Sequence, residues 1–213
     1  MSANHRNYQK EMEKIIDGLS GEKKSLLLHS CCAPCSSAVL EKLQEIFEIT
    51  VFFYNPNISE SEEYRKRVEE QKRLILAFNQ KNPAYPIKIL EGNYEPQEFY
   101  DIAKGLETCP EGGERCFRCY ALRLEKTAEV AKEGKYDYFT TTLTISPLKN
   151  AAKLNEIGEE MAGKYGTAFL PSDFKKKEGY KRSIELSKEY DLYRQNFCGC
   201  AFSKAESLKR EKV

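Results

Sequence analysis

The sequence predicts an α/β fold, a parallel β-sheet with helices on both faces, and three observations predict it. Short apolar runs alternate with segments of helical periodicity from one end of the chain to the other. Turn and breaker residues separate them. The residues best suited to chemistry follow directly after the apolar runs, where parallel sheets bind their ligands.

Residues 25–29 (SLLLH) are an apolar run ending in a polar turn, the pattern of a buried strand. Ser36 or Ser37 is placed to cap the next helix, in which Val39, Leu40, Leu43, Ile46 and Phe47 recur at helical spacing. A second strand is expected over 50–54, ending in Asn55-Pro56-Asn57. Ser59 and Glu62 have capping-box spacing for a helix that turns Tyr64, Val68, Leu74, Ile75 and Phe78 inward. A third strand over 87–90 follows the breakers Pro83 and Pro86, then a helix over 95–104 and a loop over 105–115 with Pro110, Gly112 and Gly113. Helical periodicity resumes over 116–132 through Ala121, Leu124, Ala128 and Ala131. A strand over 136–142 precedes a helix face marked by Leu154, Ile157, Met161 and Tyr165. A short strand over 168–170, a basic helix over 176–190 and a C-terminal helix complete the order. The length, 213 residues, predicts a single domain over 1–213, with 1–23 as a helical N-terminal extension.

The charge balance, 34 basic against 33 acidic residues, excludes a global positive field, so any RNA contact has to be a local patch. No stretch approaches the ~20 apolar residues of a membrane span. Residues 1–24 are polar and charged, without the apolar core of a signal peptide, so the expected address is cytoplasmic. In a reducing compartment, eight cysteines at short spacings point to metal binding or redox chemistry rather than to structural disulfides.

Those cysteines fall into four groups: Cys31-Cys32-x-x-Cys35, lone Cys109, Cys116-x-x-Cys119 and Cys198-x-Cys200. The first stands where a strand hands over to a helix and the third opens a helix; helix N-termini favour thiolates and anionic clusters. Cys116 and Cys119 could be buried helix residues, but their company favours ligands. Adjacent side chains leaving a strand are expected to point apart, which suits the several corners of an iron–sulfur cluster better than one tetrahedral zinc. A rival arrangement is the strand–Cys32-x-Pro-Cys35–helix layout of a thioredoxin-like dithiol, which leaves the other cysteines unexplained. A disulfide between Cys198 and Cys200 would close a small, strained, easily reduced ring, and Gly199 would ease the strain. Two further metal ligands or inert thiols is the alternative there. Cys35 and Cys109 are left as ligands of a second ion or as core filling.

With these residues in view the chain resembles the epoxyqueuosine reductase (QueH) family. The likeness runs through His29-Ser-Cys-Cys-Ala-Pro-Cys35, Tyr54-Asn-Pro-Asn-Ile58 and Cys116-Phe-Arg-Cys-Tyr-x-Leu-Arg123. It continues in Phe139-Thr-Thr-Thr-Leu143 with Ser146-Pro147, Phe174-Lys-Lys and Tyr193-Arg-Gln-Asn-Phe-Cys-Gly-Cys200, covering residues 24–203 in order. The resemblance implies reductive deoxygenation of epoxyqueuosine in tRNA to queuosine, the last step of queuosine biosynthesis, in a nucleotide-binding (HUP/Rossmann-like) fold. It implies a [4Fe–4S] cluster, without cobalamin, on Cys31, Cys32, Cys116 and Cys119. Cys198 and Cys200 would be the redox-active disulfide, and Cys35 a candidate ligand for an additional mononuclear iron.

Tyr54, Asn55 and Asn57 are candidates to hydrogen-bond the base or its diol, although turn chemistry alone explains Asn-Pro-Asn. Thr140, Thr141, Thr142 and Thr144 are candidate pocket-lining residues, although Thr simply favours strands. Asp173, Tyr54 and His29 are candidate proton donors; His29, on an apolar run, also reads as a packed core histidine. Lys175, Lys176, Lys177, Lys181 and Arg182 form the densest basic run, either a solvated helix face or a phosphate contact.

Overall fold

The computed structural model describes residues 6–210. Strands β1 (Lys24–His29), β2 (Phe47–Phe53), β3 (Lys88–Glu91), β4 (Tyr138–Thr141) and β5 (Ala168–Phe169) form one sheet in the order β3-β2-β1-β4-β5. Every pairing is parallel, with Leu28 opposite Val51 on one side and Thr140 on the other. This is the strand order of doubly wound sheets, which open a crevice where the winding reverses, here between β1 and β4.

Because β1 is covered on both faces, it reads as an unbroken apolar run rather than an alternating one. Leu26 and Leu28 pack against Met12 of α1 (Tyr8–Gly18), Leu40 of α2 (Ala33–Leu43), Leu74 of α3 (Ser61–Lys81) and Leu186 of α7 (Gly179–Glu189). Leu27 faces the other way, into Leu124 and Ala128 of α5 (Glu114–Glu133) and Leu154 of α6 (Ala151–Tyr165). At the rim, Phe99 and Ala103 of α4 (Pro96–Ala103) pack with Phe202 of α8 (Ala201–Arg210) around Cys119 and Cys200. Among the described residues, no helix is long and apolar enough to cross a membrane.

Several local expectations are corrected. Cys32, extended at φ −173° and ψ 156°, is the N-cap of α2, and Pro34 occupies the first turn, where a missing N–H is harmless. Ser36 is therefore not a cap; its buried hydroxyl donates to Gln71. α2 ends at Leu43 and Phe47 already begins β2, so Ile46 and Phe47 lie outside the helix. No capping box forms at α3: Glu60 takes the N-cap, and the Ser59 hydroxyl accepts instead from the Ala201 amide at 2.9 Å. β4 stops at Thr141, whose hydroxyl accepts from the Leu143 amide and starts a 3₁₀ turn over Thr142–Ile145. The basic helix begins only at Gly179, where any side chain would run into the Phe174 carbonyl, so Lys175, Lys176 and Lys177 lie in the preceding turn.

Candidate metal and thiol site

The chain leaves β1 at His29 and wraps round the strand end in a turn pinned from both sides. The Ser30 amide donates to the Phe52 carbonyl (2.9 Å) and the Asn55 side-chain amide to the Ser30 carbonyl (2.9 Å). The hydroxyls of Ser30 and Ser36 both donate to Gln71 Oε1, at 2.9 and 2.8 Å. The turn brings the Sγ atoms of Cys31 and Cys32 to 3.8 Å, and those of Cys31, Cys32 and Cys35 all within 4.8 Å of one another. The expectation that the two adjacent cysteines point apart is thus corrected: both lie beyond the strand, so pleat alternation does not govern them. Metal–sulfur bonds of ~2.3 Å at tetrahedral angles place sulfurs about 3.8 Å apart, so this trio is able to hold a metal. Hydrogen bonds with Cys32 and Cys35, and then the Arg123 charge, hold Cys31 well below the usual thiol value. The bonds to Cys31 push Cys32 up to about 11 and Cys35 well above the ordinary range. One thiolate is shared by two thiols.

Cys116 and Cys119 stand in the first two turns of α5. The Gly112 amide donates to Cys116 Sγ at 3.2 Å, while burial pushes Cys119 up to about 11. Both lie outside the 4.8 Å group, but Cys116 packs against the same apolar cluster that contains Cys31 and Cys32. Arg123, one turn beyond Cys119 and only 2% exposed, ties the groups together. Its Nε donates to His29 Nε2 (3.2 Å) and its Nη2 to Asn55 Oδ1 (2.6 Å), and its charge interacts with the sulfurs of Cys119, Cys31 and Cys198.

Cys198 and Cys200, with Sγ atoms 3.6 Å apart, reach the site from the C-terminal segment. The Ser203 hydroxyl accepts from the Cys198 amide (3.1 Å), and the Ser203 amide donates to Cys200 Sγ (3.3 Å). The hydrogen bond with Cys200, followed by the Lys149 charge, holds Cys198 well below the ordinary thiol value; Cys200 is correspondingly raised. A cavity of about 260 Å³ is walled by Cys31, Cys32, Cys35, Arg123, Lys149 and Cys198. A smaller one beside it is walled by Cys116, Cys119, Cys200 and Asn57, again with Arg123, Lys149 and Cys198. All of this lies at the carboxyl ends of the strands.

The other sequence-derived candidates divide. Asn57 faces the smaller cavity, and its buried Oδ1 has no hydrogen-bond partner. Asn55 is consumed by Ser30 and Arg123; the Thr141 hydroxyl lies 2.9 Å from His29 Nδ1. Tyr54 donates to Glu98 at 2.5 Å and stacks on Phe52. His29 is fully buried between Thr141, Arg123 and the Tyr54 carbonyl; burial and then the Arg123 charge push it down to about 3, so it is a neutral brace. Thr140 donates to the Leu170 carbonyl and Thr144 pairs with Ser172 at 3.0 Å. Asp173 pairs with Lys175 at 3.0 Å. Arg182 is held by Glu41 (2.7 Å), Glu185 (3.1 Å) and Glu189 (3.7 Å), and Lys177 by Glu13 (2.5 Å). Cys109 lies outside both cysteine-lined cavities.

Arg123, Lys149 and Glu111 are among the cavity residues missing from those candidates. Arg123 carried a signal, since Cys116, Cys119 and Arg123 fall at i, i+3 and i+7 on one helix face. Lys149 and Glu111, each in a loop and lining both cavities, carried none.

The sequence profile of the family described as epoxyqueuosine reductase QueH matches residues 26–206. An epoxyqueuosine reductase QueH of Staphylococcus epidermidis is 46% identical over 201 residues, covering 92% of this chain and 84% of that protein. The Streptococcus pyogenes protein of the same description is 43% identical, covering 92% and 78% respectively. That of Thermotoga maritima is 37% identical, covering 88% and 93%. A match over so much of the chain, including every cysteine group described above, shows that the chain belongs to the epoxyqueuosine reductase QueH family.

Proposed function

We propose that this chain reduces the epoxide of epoxyqueuosine in tRNA to the cyclopentene of queuosine. In this reading an iron–sulfur cluster rests on Cys31, Cys32, Cys116 and Cys119, with Cys198 and Cys200 as a redox pair. The observation that carries it is convergence. Cys198 walls two adjoining cavities, one bounded by Cys31 and Cys32 and the other by Cys116 and Cys119. The donor set fits such a cluster: three of the four thiols are buried, and Arg123 and Lys149 lie among them to offset anionic sulfur. A cluster held there supplies electrons one at a time.

The rest of the chemistry belongs to the side chains. Oxidation of the Cys198/Cys200 dithiol to a disulfide releases two electrons and two protons, the stoichiometry of deoxygenation. Epoxide plus dithiol gives alkene, water and disulfide, and a reductant of the reductase then restores the dithiol. The unpartnered Oδ1 of Asn57 is suited to accept from a substrate hydroxyl, and Tyr120 and Leu143 give the cavities apolar walls that exclude water. Of the basic run, Lys176 is the residue best placed for a phosphate, because it makes no ion pair among the described residues. Lys175 and Arg182 would first have to exchange their carboxylate partners.

A second reading has its own observation, the 3.8 Å spacing of Cys31 and Cys32 beside Cys35, which suits a single ion. Anaerobic purification separates the two. Iron and acid-labile sulfide in near-equal amounts, with broad visible absorbance, are expected; stoichiometric zinc without sulfide would sink the cluster. If Cys35 serves an additional mononuclear iron, Cys35→Ala lowers iron while sulfide holds. Nucleoside analysis after incubation with epoxyqueuosine-bearing tRNA and a reductant reads the reaction itself.

A further inference from the structure

Lys149 lies in the loop between the 3₁₀ turn and α6. Its amide donates to the Ser146 carbonyl at 3.3 Å, and the next residue, Asn150, caps α6 by accepting from the Lys153 amide at 3.0 Å. The loop is therefore pinned on both sides of the lysine, which presents its ammonium to both cysteine-lined cavities. The sulfurs of Cys31, Cys35 and Cys198 and the ring of Tyr120 line the same two cavities.

What sets Lys149 apart is unused hydrogen-bonding capacity. The Arg123 guanidinium is spent on His29 and Asn55, and Arg194, which also lines the larger cavity, is spent on the Ser183 carbonyl and the Ser187 hydroxyl. Lys149 alone among these cavity cations makes no ion pair and donates no side-chain hydrogen bond among the described residues. An ammonium carries three donors, and here all three are available to a guest.

Opening an epoxide by reduction drives negative charge onto its oxygen as the first C–O bond breaks. A fixed cationic donor in a cavity with little water stabilises that charge far more than it would in bulk solvent, and more than it stabilises the neutral epoxide. Building on the reductase reading above, we propose that Lys149 is a catalytic residue whose ammonium hydrogen-bonds the epoxide oxygen and stabilises it as it departs. The balance requires no proton from the lysine. Epoxide plus the Cys200 thiol, the Cys198 thiolate and one proton from solvent gives alkene, water and disulfide, and Lys149 stays an ammonium throughout. The product alkene has lost the oxygen, so the contact also gives the site a means of preferring substrate over product.

The test compares the wild type, Lys149→Gln and Lys149→Arg, purified anaerobically. Each is assayed for iron and sulfide, for binding to anticodon stem-loops bearing epoxyqueuosine or queuosine, and for single-turnover rate. Lys149→Gln is expected to bind the queuosine RNA as the wild type does, to lose the preference for the epoxide, and to turn over about 10²–10³-fold more slowly. Lys149→Arg keeps the charge but moves the donors. It should load metal normally, yet be slowed about tenfold or more. An arginine variant with wild-type turnover and epoxide preference overturns the proposal, because it would mean the lysine only balances thiolate charge. So does a glutamine variant that retains the epoxide preference. If the wild type itself lacks iron and sulfide while Lys149→Gln still loses that preference, the cluster reading fails and the role of Lys149 stands.

Discussion

The turn carrying Cys31, Cys32 and Cys35 and the segment carrying Cys198 and Cys200 face the same cavity but are held in place by different physics. The turn is built mainly from neutral hydrogen bonds inside the core, with one charged contact, from Arg123 to Asn55: Ser30, Ser36, Asn55 and Gln71 are all fully buried, and several carry more than one bond. The second segment has no strand or helix of its own before α8. It is anchored by Arg67, which is 1% exposed and donates to the carbonyls of Cys198 (3.0 Å) and Phe197 (3.5 Å). The guanidinium also lies 5.3 Å from the Phe197 ring, balanced by Glu63 at 2.6 Å. Redundant neutral bonds share a loss among many partners; a single buried charge concentrates it. A rigid turn suits permanent ligands. A segment docked largely through one buried charged side chain, with Ser59 and Ser203 adding neutral bonds to Gly199, Cys198 and Cys200, suits a pair proposed to cycle between thiol and disulfide.

The largest test of this contrast is Arg67→Ala. It takes the ion-pair partner from Glu63, whose side chain is 11% exposed and keeps only the Tyr193 hydroxyl (3.0 Å) among the described residues, and it removes the donor from two carbonyls. Removing one partner of a buried ion pair costs about 3–5 kcal/mol. Urea unfolding should show that loss, and limited proteolysis should cut first within residues 194–200. A loss below about 1 kcal/mol, with the segment still protected, would break the comparison.

Arg67 also shows what was legible beforehand. Tyr64, Val68, Leu74, Ile75 and Phe78 are recognisable in the sequence as the inner face of α3, and all are buried. Arg67 and Gln71 occupy the same stripe and are buried too, but a polar residue on a helix reads as solvated until its partners are known. Those partners, Cys198 and Ser30, are distant in sequence, so no local pattern could announce them. Cysteines declare themselves by spacing, and strands by apolar runs. The geometry of Cys31 and Cys32 did not follow, because pleat alternation ends where the strand does. The capping role expected of Ser36 was overridden because Pro34 can occupy the first turn, which moves the helix start back to Ala33.

A smaller effect is expected at Gly199, and it sharpens the same contrast. Its φ of +119° is one that L side chains rarely adopt, and a methyl group there would meet Ile58 Cγ1 at 2.8 Å and Arg67 Nη1 at 3.3 Å. Gly199→Ala should cost about 1–3 kcal/mol, through backbone strain and displacement of the Arg67 anchor. The two substitutions act on one contact, so Arg67→Ala combined with Gly199→Ala should cost less than the sum of the single changes. Strict additivity in urea unfolding would place the strain of Gly199 outside the anchor.

The smallest effect belongs to the turn itself. Gln71→Leu removes the acceptor used by both serines, and in most cores a lost buried partner costs about 1–3 kcal/mol. Here Ser36 keeps the carbonyls of Cys32 (3.2 Å) and Ala33 (3.1 Å), and Ser30 keeps that of Cys32 at 3.5 Å. Gln71 Nε2 is already buried without a partner, so leucine also removes an unsatisfied donor. The net cost should therefore fall near the low end, about 1 kcal/mol, with the midpoint of urea unfolding lowered and its slope unchanged. A loss as large as that of Arg67→Ala would mean that the turn hangs on Gln71 as the other segment hangs on its arginine, and the two halves of the site would then be built alike.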